Sequence, residues 1–262
     1  MIKDIQVRVI YMKAVVTGAS SGIGYSIARY LSKLGYDLIV VARRKDCLEN
    51  LKEECNTNVD IIDMDLSIIS NMYDFYDKIK NEDVDIVVNN AGCGIYGDSW
   101  NVDISREVSM LELNVIATDV LTKLFLKDMV KKNKGRILNV SSIVGFMPGP
   151  LMSSYYASKA YITSMSRAIN TELKMKKYDV CVSTLCAGAV DTNFNSDLGI
   201  SFFVKPKSSE YVAKYAIDKM LKNKEVIIPG IMNRILYCIN KVVPVKLMKY
   251  PIYMSQNGKR YF

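Results

Sequence analysis

The sequence predicts an α/β fold, a doubly wound parallel sheet with helices on both faces. Short apolar segments alternate with helical segments along most of the 262 residues, and half of all residues are hydrophobic. A glycine-rich turn at residues 18–24 separates the first apolar segment from the first helical one. Strands that alternate with helices form parallel sheets, which need helices on both faces. Because no linker or internal repeat divides the chain, we expect one domain over residues 12–262.

The first half of the chain predicts four strands. Residues 14–17 form an apolar run that stops at the glycine-rich turn, and the following helix, residues 25–33, ends near Gly35 because glycine favours helix ends. The alternation continues with strands at 38–41, 59–62 and 85–88 and helices at 46–54 and 69–80. Residues 1–11 precede the first strand. We expect them to be a dispensable extension, with Met12 as the natural start, or an added edge strand.

The second half predicts two long helices around a strand. The helical patterns cover residues 105–132 and 154–176, the strand between them covers 136–140, and a further strand covers 180–185. The βα alternation therefore persists through most of the chain, as a parallel sheet requires.

The absence of histidine and the scattered cysteines exclude several kinds of site. Without histidine the chain has no Ser-His or Cys-His nucleophile and lacks the commonest general base. No C-x-x-C pair occurs, so we expect neither a disulfide scaffold nor a metal site. Acid–base chemistry must therefore come from Tyr, Lys, Cys or a carboxylate. The cysteines are Cys47, Cys55, Cys93, Cys181, Cys186 and Cys238.

The net charge of +8 is concentrated near the C-terminus. Residues 231–262 hold six Lys or Arg and no Asp or Glu, which accounts for +6 of the +8. The remainder is close to neutral, so we do not expect a nucleic-acid-binding protein. The sequence shows no apolar stretch of about 18 residues and no secretory leader pattern, so we expect a cytoplasmic protein.

Three glycines, Gly18, Gly22 and Gly24, lie in the turn between the first strand and the first helix. In that position the backbone N–H groups and the helix dipole favour a pyrophosphate, and glycine lets the backbone approach it closely. Glycines also serve ordinary tight turns. The spacing G-x-x-x-G-x-G in a strand-to-helix turn nevertheless favours a dinucleotide. Ser20, Ser21 and Ile23 complete the turn.

Together with four later motifs, this turn resembles the short-chain dehydrogenase/reductase family through most of residues 13–193. The family has T-G-x-x-x-G-x-G here, N-N-A-G after the fourth strand, an active-site Asn, a Ser at the end of the fifth strand and Y-x-x-x-K. The matching residues are Asn89-Asn90-Ala91-Gly92, Asn114, Ser142, Tyr155 and Lys159. The resemblance implies a Rossmann-type sheet of about seven strands. It also implies cofactor contacts at Asn90, Ala91 and Gly92, and a homodimer or homotetramer paired through residues 105–132 and 154–176.

The residues after the second strand favour NADP(H) over NAD(H). NAD-preferring sites have an acidic residue there that binds the ribose 2′-hydroxyl. Ala42 stands at that place and leaves room for a 2′-phosphate, which Arg43 and its neighbour Arg44 can bind. The alternative is that both are solvated arginines of a helix-entry loop. By resemblance, Asp65 and Leu66 contact the adenine.

Tyr155 and Lys159 are the predicted catalytic pair. They are four residues apart on a predicted helix, so their side chains share one face. A free Tyr has a pKa of about 10, and a neighbouring ammonium or an oxidised nicotinamide favours its phenolate. Tyr156 fails the Y-x-x-x-K spacing because residue 160 is Ala. The alternative is a surface Tyr–Lys pair beside a serine-capped turn.

Ser142 is predicted to hold the substrate oxygen and stabilise the developing oxyanion. The family places its serine thirteen residues before the tyrosine, which selects Ser142 rather than Ser141. By resemblance, Lys159 also binds the nicotinamide ribose, and Asn114 orders a water that relays protons from Lys159 to solvent.

One motif departs from the family pattern. Cys186-Ala187-Gly188 stands where the family commonly has Pro-Gly after the sixth strand. Loss of the proline relaxes the backbone restriction at residue 187. Val190 and Thr192 still occupy the positions that contact the nicotinamide carboxamide in the family. We interpret Cys186 as a small buried residue rather than a nucleophile.

Substrate specificity is expected in loops at the carboxyl ends of the strands, at residues 93–97, 143–153 and 193–208. These loops are apolar, which predicts a hydrophobic ketone, aldehyde or secondary alcohol, such as a steroid or a lipid-like ketone. The alternative is that their aromatic residues pack a lid onto the body. The residues concerned are Phe146, Met147, Leu151, Met152, Phe194, Leu198, Ile200, Phe202 and Phe203.

The tail at residues 231–262 combines basic residues with apolar residues at helical spacing before Pro244. This pattern is typical of weak contact with an anionic membrane surface, and the alternative is docking against the body or a partner subunit. For the whole chain, the main hypothesis is an NADP(H)-dependent oxidoreductase acting on a small hydrophobic carbonyl or alcohol. The other hypotheses are an isomerase or NAD-linked enzyme on the same fold, and a non-catalytic NADP(H)-binding sensor or scaffold.

Overall fold

The structure is a computed structural model, and it describes residues 12–192, 194 and 206–257. The strands are β1 Lys13–Thr17, β2 Asp37–Ala42, β3 Val59–Asp63, β4 Val84–Asn89, β5 Gly135–Ser142, β6 Val180–Ala187, β7 Val190–Asp191, β8 Lys207–Ser208 and β9 Val226–Ile227. The helices are α1 Gly22–Lys33, α2 Lys45–Glu53, α3 Ile69–Ile79, α4 Ile104–Leu111, α5 Thr118–Lys132, α6 Ser153–Met175, α7 Ser209–Met220, α8 Ile231–Val242 and α9 Val245–Asn257. A π-helical turn, Glu112–Ala117, joins α4 to α5, and a 3-10 turn, Ile143–Phe146, follows β5.

Seven strands of the described part form one parallel sheet in the order β3-β2-β1-β4-β5-β6-β9. On one side of β1 lie β2 and then β3, and the chain next returns to the middle of the sheet, where β4 pairs with the other side of β1. The strand order reverses there, so a crevice opens at the carboxyl ends of β1 and β4. The predicted doubly wound sheet of about seven strands is confirmed.

Two hydrophobic layers cover the faces of the sheet. Successive side chains of a strand point to opposite faces, so Val16 packs in the layer under α1, α2 and α7, while Val15 packs in the layer under α3, α5 and α6. Phe75 and Leu121 are buried on the second face and Leu31 on the first. Because both faces are covered, a central strand such as β2 has apolar residues at consecutive positions, residues 38–42.

Local signals set the helix limits. Asp103 caps α4 by accepting a hydrogen bond at Oδ1 from Ser105 N at 2.8 Å. Gly35, with φ of +89°, follows α1, and Asn133, with φ of +51°, ends α5, both in the left-handed conformation that terminates helices. Ser208 caps α7 through Tyr211 N.

The observed elements differ from the predicted ones in three ways. The first helix begins at Gly22 rather than at residue 25, so two of the turn glycines belong to its first turn. The predicted helix at 105–132 is interrupted by the π-helical turn. The turn was not predicted because hydrophobic spacing does not reveal one extra residue in a helix. The short strands β7, β8 and β9 have two residues each, too few to give a sequence period.

The tail forms the helices α8 and α9, which meet at Pro244. No helix within residues 12–192 and 206–257 has both the length and the apolar content to cross a lipid bilayer. Residue 193 and residues 195–205, which include most of the predicted substrate loop with Leu198, Ile200, Phe202 and Phe203, lie outside the described residues, as do residues 1–11 and 258–262.

Candidate active site

The glycine-rich turn leads from β1 into the N-terminus of α1. Gly18 and Gly22 have φ of +65° and +59°, and a Cβ on Gly18 would lie 2.8 Å from Ala91 Cα, so a side chain would be strained there. Ser21, the N-cap of α1, makes no side-chain capping bond, and the first turn holds no acidic residue. The amide groups at this helix end are therefore suited to an anionic group such as a pyrophosphate.

The segment after β4 packs directly beneath this turn. Asn90 Nδ2 donates to the carbonyl oxygens of Thr17 at 3.0 Å and Gly18 at 3.1 Å, and the amides of Asn90 and Ala91 donate to Thr17 Oγ1 at 3.0 and 3.1 Å. A Cβ on Gly24 would lie 2.3 Å from Asn90 Nδ2. Asn90 and Ala91 thus support the glycine turn as one unit, in which Gly24 has no room for a side chain.

The residues predicted to bind the adenosine half of the cofactor lie together. Arg44 Nη2 donates to Ser20 Oγ at 3.0 Å and Ser21 Oγ at 2.8 Å. Arg43 Nη1 is 3.5 Å from Asp65 Oδ2, and its side chain is 71% exposed, so it is accessible to a ligand. Burial opposes ionisation of Asp65, but hydrogen bonds from Ser67 together with Arg43 outweigh it and lower the pKa of this carboxyl.

Leu66 and Ile23 have different surroundings. The Leu66 side chain is buried in the hydrophobic layer under α3 and α5, so the predicted contact of Leu66 with the adenine would have to come from its backbone and stays a prediction. Ile23 is half-buried at the start of α1 and packs against the other hydrophobic layer.

Tyr155 and Lys159 lie one turn apart near the start of α6. Lys159 Nζ is 5.7 Å from the centre of the Tyr155 ring and donates to Val140 O at 3.0 Å. Burial lowers the pKa of Lys159 to about 8. Burial also raises the pKa of Tyr155, as does Tyr156, while a hydrogen bond with Ser142 acts in the opposite direction. Without a ligand, Tyr155 is therefore a neutral phenol beside an ammonium of reduced pKa.

The structure distinguishes the two adjacent serines. Ser142 Oγ donates to Ala187 O at 3.1 Å, and the Ser142 hydroxyl partly offsets the burial that raises the pKa of the neighbouring Tyr155. Ser141 Oγ donates to Lys159 O at 2.8 Å and shares a 2.7 Å hydrogen bond with Thr163 Oγ1, so it supports the backbone of α6. Of the two, Ser142 is the one whose hydroxyl is beside Tyr155.

Asn114 is buried in the π-helical turn and bound to the backbone of Cys93. Its Oδ1 accepts from Cys93 N at 2.9 Å, and its Nδ2 donates to Cys93 O at 2.8 Å. Gly92 leaves this region open, because a Cβ there would lie 2.9 Å from Asn114 Oδ1 and 3.5 Å from Lys159 Nζ. Asn114 and Lys159 thus meet around Gly92, and Asn114 Nδ2 also contacts Ser158 Oγ at 3.3 Å.

The segment after β6 forms the remaining side of the crevice. A Cβ on Gly22 would lie 2.9 Å from Thr192 Cγ2, so Thr192 closes over the glycine turn, and Val190 is buried in β7. A Cβ on Gly188 would lie 2.4 Å from Asn233 Oδ1, so helix α8 of the tail packs against this segment. Burial raises the pKa of Cys186 to about 12, which agrees with its interpretation as an unreactive core residue.

The described apolar residues of the predicted substrate loops divide into two groups. The Phe194 ring is 5.5 Å from the Tyr155 ring, at the candidate site. Phe146 instead packs edge-on against Tyr237 of the tail at 4.7 Å, and Leu151 and Met152 are buried. Some of these residues therefore pack against the body or the tail, and both the substrate-binding role of the loops and the alternative of a packed lid stay predictions.

Gln256 and a buried polar network also lie around the site, and neither was predicted from the sequence. Gln256 of α9 is 3% exposed, its Nε2 donates to the Tyr156 hydroxyl, and its backbone O accepts from Tyr96 Oη at 2.8 Å. The tail is thus bound to the residue next to Tyr155. A signal was present, since Met248, Ile252 and Gln256 recur every four residues, the spacing of one helix face.

The buried polar network is formed by asparagine, threonine and serine side chains. Asn89 Nδ2 donates to Asn139 Oδ1 at 2.9 Å and to Thr122 Oγ1 at 3.1 Å, and Asn139 Nδ2 donates to Ser166 Oγ at 2.9 Å. These bonds join β4, β5, α5 and α6. Because β5 carries Ser142 and α6 carries Tyr155 and Lys159, the network helps to fix the relative positions of these residues.

Comparisons with known proteins identify relatives among dehydrogenases and reductases. Residues 12–200 match the family model described as short chain dehydrogenase. An uncharacterised oxidoreductase of Staphylococcus epidermidis is 32% identical over 181 residues, covering 68% of this chain and 78% of that protein. The very-long-chain 3-oxoacyl-CoA reductase of Rattus norvegicus is 34% identical over 175 residues, covering 62% of this chain and 55% of that protein, so the match spans about half of its length. A solved short-chain dehydrogenase of Sphingobium yanoikuyae in complex with NADPH has a TM-score of 0.78 at 24% identity, over 89% of this chain and 96% of that one.

Proposed function

Because the chain belongs to the short-chain dehydrogenase family, a family of oxidoreductases, we propose that it interconverts a ketone or aldehyde and an alcohol with NADP(H). The observation that carries this proposal is the grouping of Ser142, Tyr155, Lys159 and Asn114 beside a glycine turn suited to pyrophosphate. A protein that only binds the cofactor has no need of this grouping.

The residues of the glycine turn, with Asn90 and Ala91 beneath them, fit the dinucleotide. The turn presents amide groups at the N-terminus of α1, and its glycines leave the space that side chains would fill. We assign Gly188, Val190 and Thr192 to the nicotinamide side, and Lys159 and Tyr155 to the ribose. The cofactor, when bound, supplies or accepts the hydride.

Tyr155 is the proposed acid in reduction and the proposed base in oxidation. In reduction its O–H donates a proton to the oxygen of the carbonyl, and Ser142 donates a hydrogen bond to the same oxygen. The Lys159 ammonium stabilises the phenolate that remains on Tyr155. Asn114, held by the Cys93 backbone, orders the water through which Lys159 exchanges protons with solvent.

The preference for NADP(H) rests on Ala42, Arg43 and Arg44. Ala42 carries no acid that would repel a 2′-phosphate, and the exposed Arg43 guanidinium needs only to leave Asp65, at 3.5 Å, to bind one. Arg44 is already held above the glycine turn by Ser20 and Ser21.

The proposed substrate is hydrophobic. Phe194 lies against Tyr155, so an apolar substrate group next to the reacting carbonyl would contact the Phe194 ring. The rat relative is named as a reductase of very-long-chain 3-oxoacyl-CoA, a ketone on a long apolar chain. From this relative we carry over to the present chain only the class of substrate, a carbonyl compound with apolar groups beside the carbonyl.

We propose that the chain forms a homodimer or homotetramer through α4, α5 and α6. Exposed apolar side chains occur on α4, on α6 and in the π-helical turn between α4 and α5: Ile104 is 76% exposed, Val108 49%, Ile116 39% and Tyr161 44%. Exposed apolar side chains favour a subunit contact.

The test compares two adjacent tyrosines. Tyr155→Phe should abolish oxidation of NADPH with a panel of lipophilic ketones while NADPH still binds in a fluorescence titration. Tyr156→Phe, the matched control, removes a hydroxyl that faces Gln256 and should retain turnover. Normal turnover by Tyr155→Phe would refute the assignment, and cofactor binding without turnover by the wild type would favour a sensor.

A further inference from the structure

The tail helices α8 and α9 present apolar side chains to the outside. We call this surface the outer face and define it as Ile231, Ile235, Ile239, Val242, Leu247, Tyr250 and Met254. Ile231 is 72% exposed, Val242 83% and Leu247 68%, and no residue of α8 is buried. The spacing of three or four residues places the α8 members on one stripe.

The polar residues of α8 lie on the opposite side. Asn233 packs against Gly188 and donates to Pro229 O at 2.7 Å, and Tyr237 packs on Phe146. A surface helix of a soluble protein normally directs its apolar stripe to the core and its polar side to water. The reversed arrangement of α8 indicates an apolar surface as the partner of the outer face.

The charges beside the outer face indicate the nature of that partner. From residue 226 to residue 262 the sequence has six Lys or Arg and no Asp or Glu. Of these, Lys246 and Lys249 are exposed on α9 next to Leu247 and Tyr250. An apolar stripe with a basic border and no acidic residue complements an anionic lipid surface, in which acyl chains lie below negative headgroups.

We propose that the outer face binds the surface of an anionic lipid bilayer, with α8 and α9 lying in the plane of the interface. A second copy of the chain fits less well, because a two-fold contact through this face would bring like charges together. The helices also carry Asn233, Tyr237 and Gln256, which contact the candidate site at Gly188, Phe146 and Tyr156. If the proposed function holds, a lipophilic substrate would thus enter the site beside the membrane that dissolves it.

The experiment is sedimentation of the full chain with vesicles of phosphatidylcholine alone or mixed with phosphatidylserine. Binding is expected to the mixed vesicles at roughly 0.01 M salt and to weaken at roughly 1 M, where the Debye length falls from about 30 Å to about 3 Å. Lys246→Gln with Lys249→Gln should weaken binding about 25-fold, from about fivefold per lysine.

A second pair of substitutions tests the apolar stripe. Ile235→Glu with Ile239→Glu should weaken binding more than 10-fold. Met175→Glu with Leu221→Glu changes the charge equally at exposed apolar residues outside the tail and should leave binding unchanged. Circular dichroism of each variant checks that it is folded, and the lysine variant tests the proposal without placing a charge in the stripe.

Three results would overturn the proposal. The first is that the wild type does not bind the mixed vesicles. The second is that both pairs of glutamate substitutions weaken vesicle binding equally. The third is that the wild type binds no vesicles but forms a dimer, which Ile235→Glu with Ile239→Glu converts to a monomer. Absence of turnover with intact vesicle binding would contradict the proposed function alone.

Discussion

Replacing Lys159 with Met removes the ammonium beside Tyr155 while keeping a side chain of similar length. Lys159 Nζ lies 5.7 Å from the centre of the Tyr155 ring. At an effective dielectric constant of about 20, a unit charge at this distance stabilises the phenolate by about 3 kcal/mol, or about two pKa units. The phenolate population near neutrality, and with it the rate of alcohol oxidation, should fall about 100-fold.

The loss should depend on pH in a defined direction. Because burial lowers the pKa of Lys159 to about 8, the ammonium is present below that pH and is lost above it. Below pH 8, both enzymes gain phenolate as the pH rises, and their ratio stays constant. Above pH 8 the wild-type rate levels off while the Lys159→Met rate continues to rise, so the difference between them shrinks.

The assay is the oxidation of a lipophilic alcohol at saturating NADP⁺ between pH 6 and pH 10, with the binding of NADP⁺ measured separately. Saturation removes the effect of the proposed ribose contact of Lys159 from the comparison of kcat. Lys159→Arg keeps a cation and should retain more activity than Lys159→Met. Equal kcat values for wild type and Lys159→Met at pH 7, or a ratio that does not change up to pH 10, would refute the electrostatic role.

Two further predictions concern the cofactor and the packing around Asn114. Arg43→Asp should lower kcat/KM for NADPH by about 10- to 100-fold, because a charged hydrogen bond is lost, and should lower kcat/KM for NADH less. Lys45→Asp is the matched control. An unchanged ratio of kcat/KM for NADPH to that for NADH in Arg43→Asp would contradict the assignment. Gly92→Ala should lower both Tm and kcat, because its Cβ would lie 2.9 Å from Asn114 Oδ1 and overpacking costs about 1–3 kcal/mol. An unaltered melting curve and rate would mean that Asn114 is free to move.

The sheet was predictable from sequence because its strands are buried on both faces. Strands such as β2 and β4 therefore contain continuous apolar runs, residues 38–42 and 86–88, whose positions can be read from the sequence to within a residue or two of the strand ends. The turn glycines were predictable for a related reason, since a left-handed φ at Gly18 and Gly22 leaves few other residues usable.

Other features depend on contacts that a local pattern does not encode. The family spacing selected Ser142 rather than Ser141, but it gave no physical reason; in the structure, successive side chains of β5 point to opposite faces, so Ser142 lies beside Tyr155 while Ser141 supports the backbone of α6. The spacing of Met248, Ile252 and Gln256 indicates a shared helix face, but the contact of Gln256 with Tyr156, 100 residues away in sequence, is visible only in the folded chain. The identities of the catalytic residues came from motif spacing, whereas the groups that hold them came from the structure.

The widened helical turn at Glu112–Ala117 also fixes the rotation of everything after it. An ordinary helix advances by about 100° per residue, so deleting one residue from this turn would swing the inward stripe of α5, Leu121, Phe125 and Met129, away from the sheet. The extra residue of the turn that holds Asn114 therefore also keeps the apolar side chains of α5 directed toward the sheet.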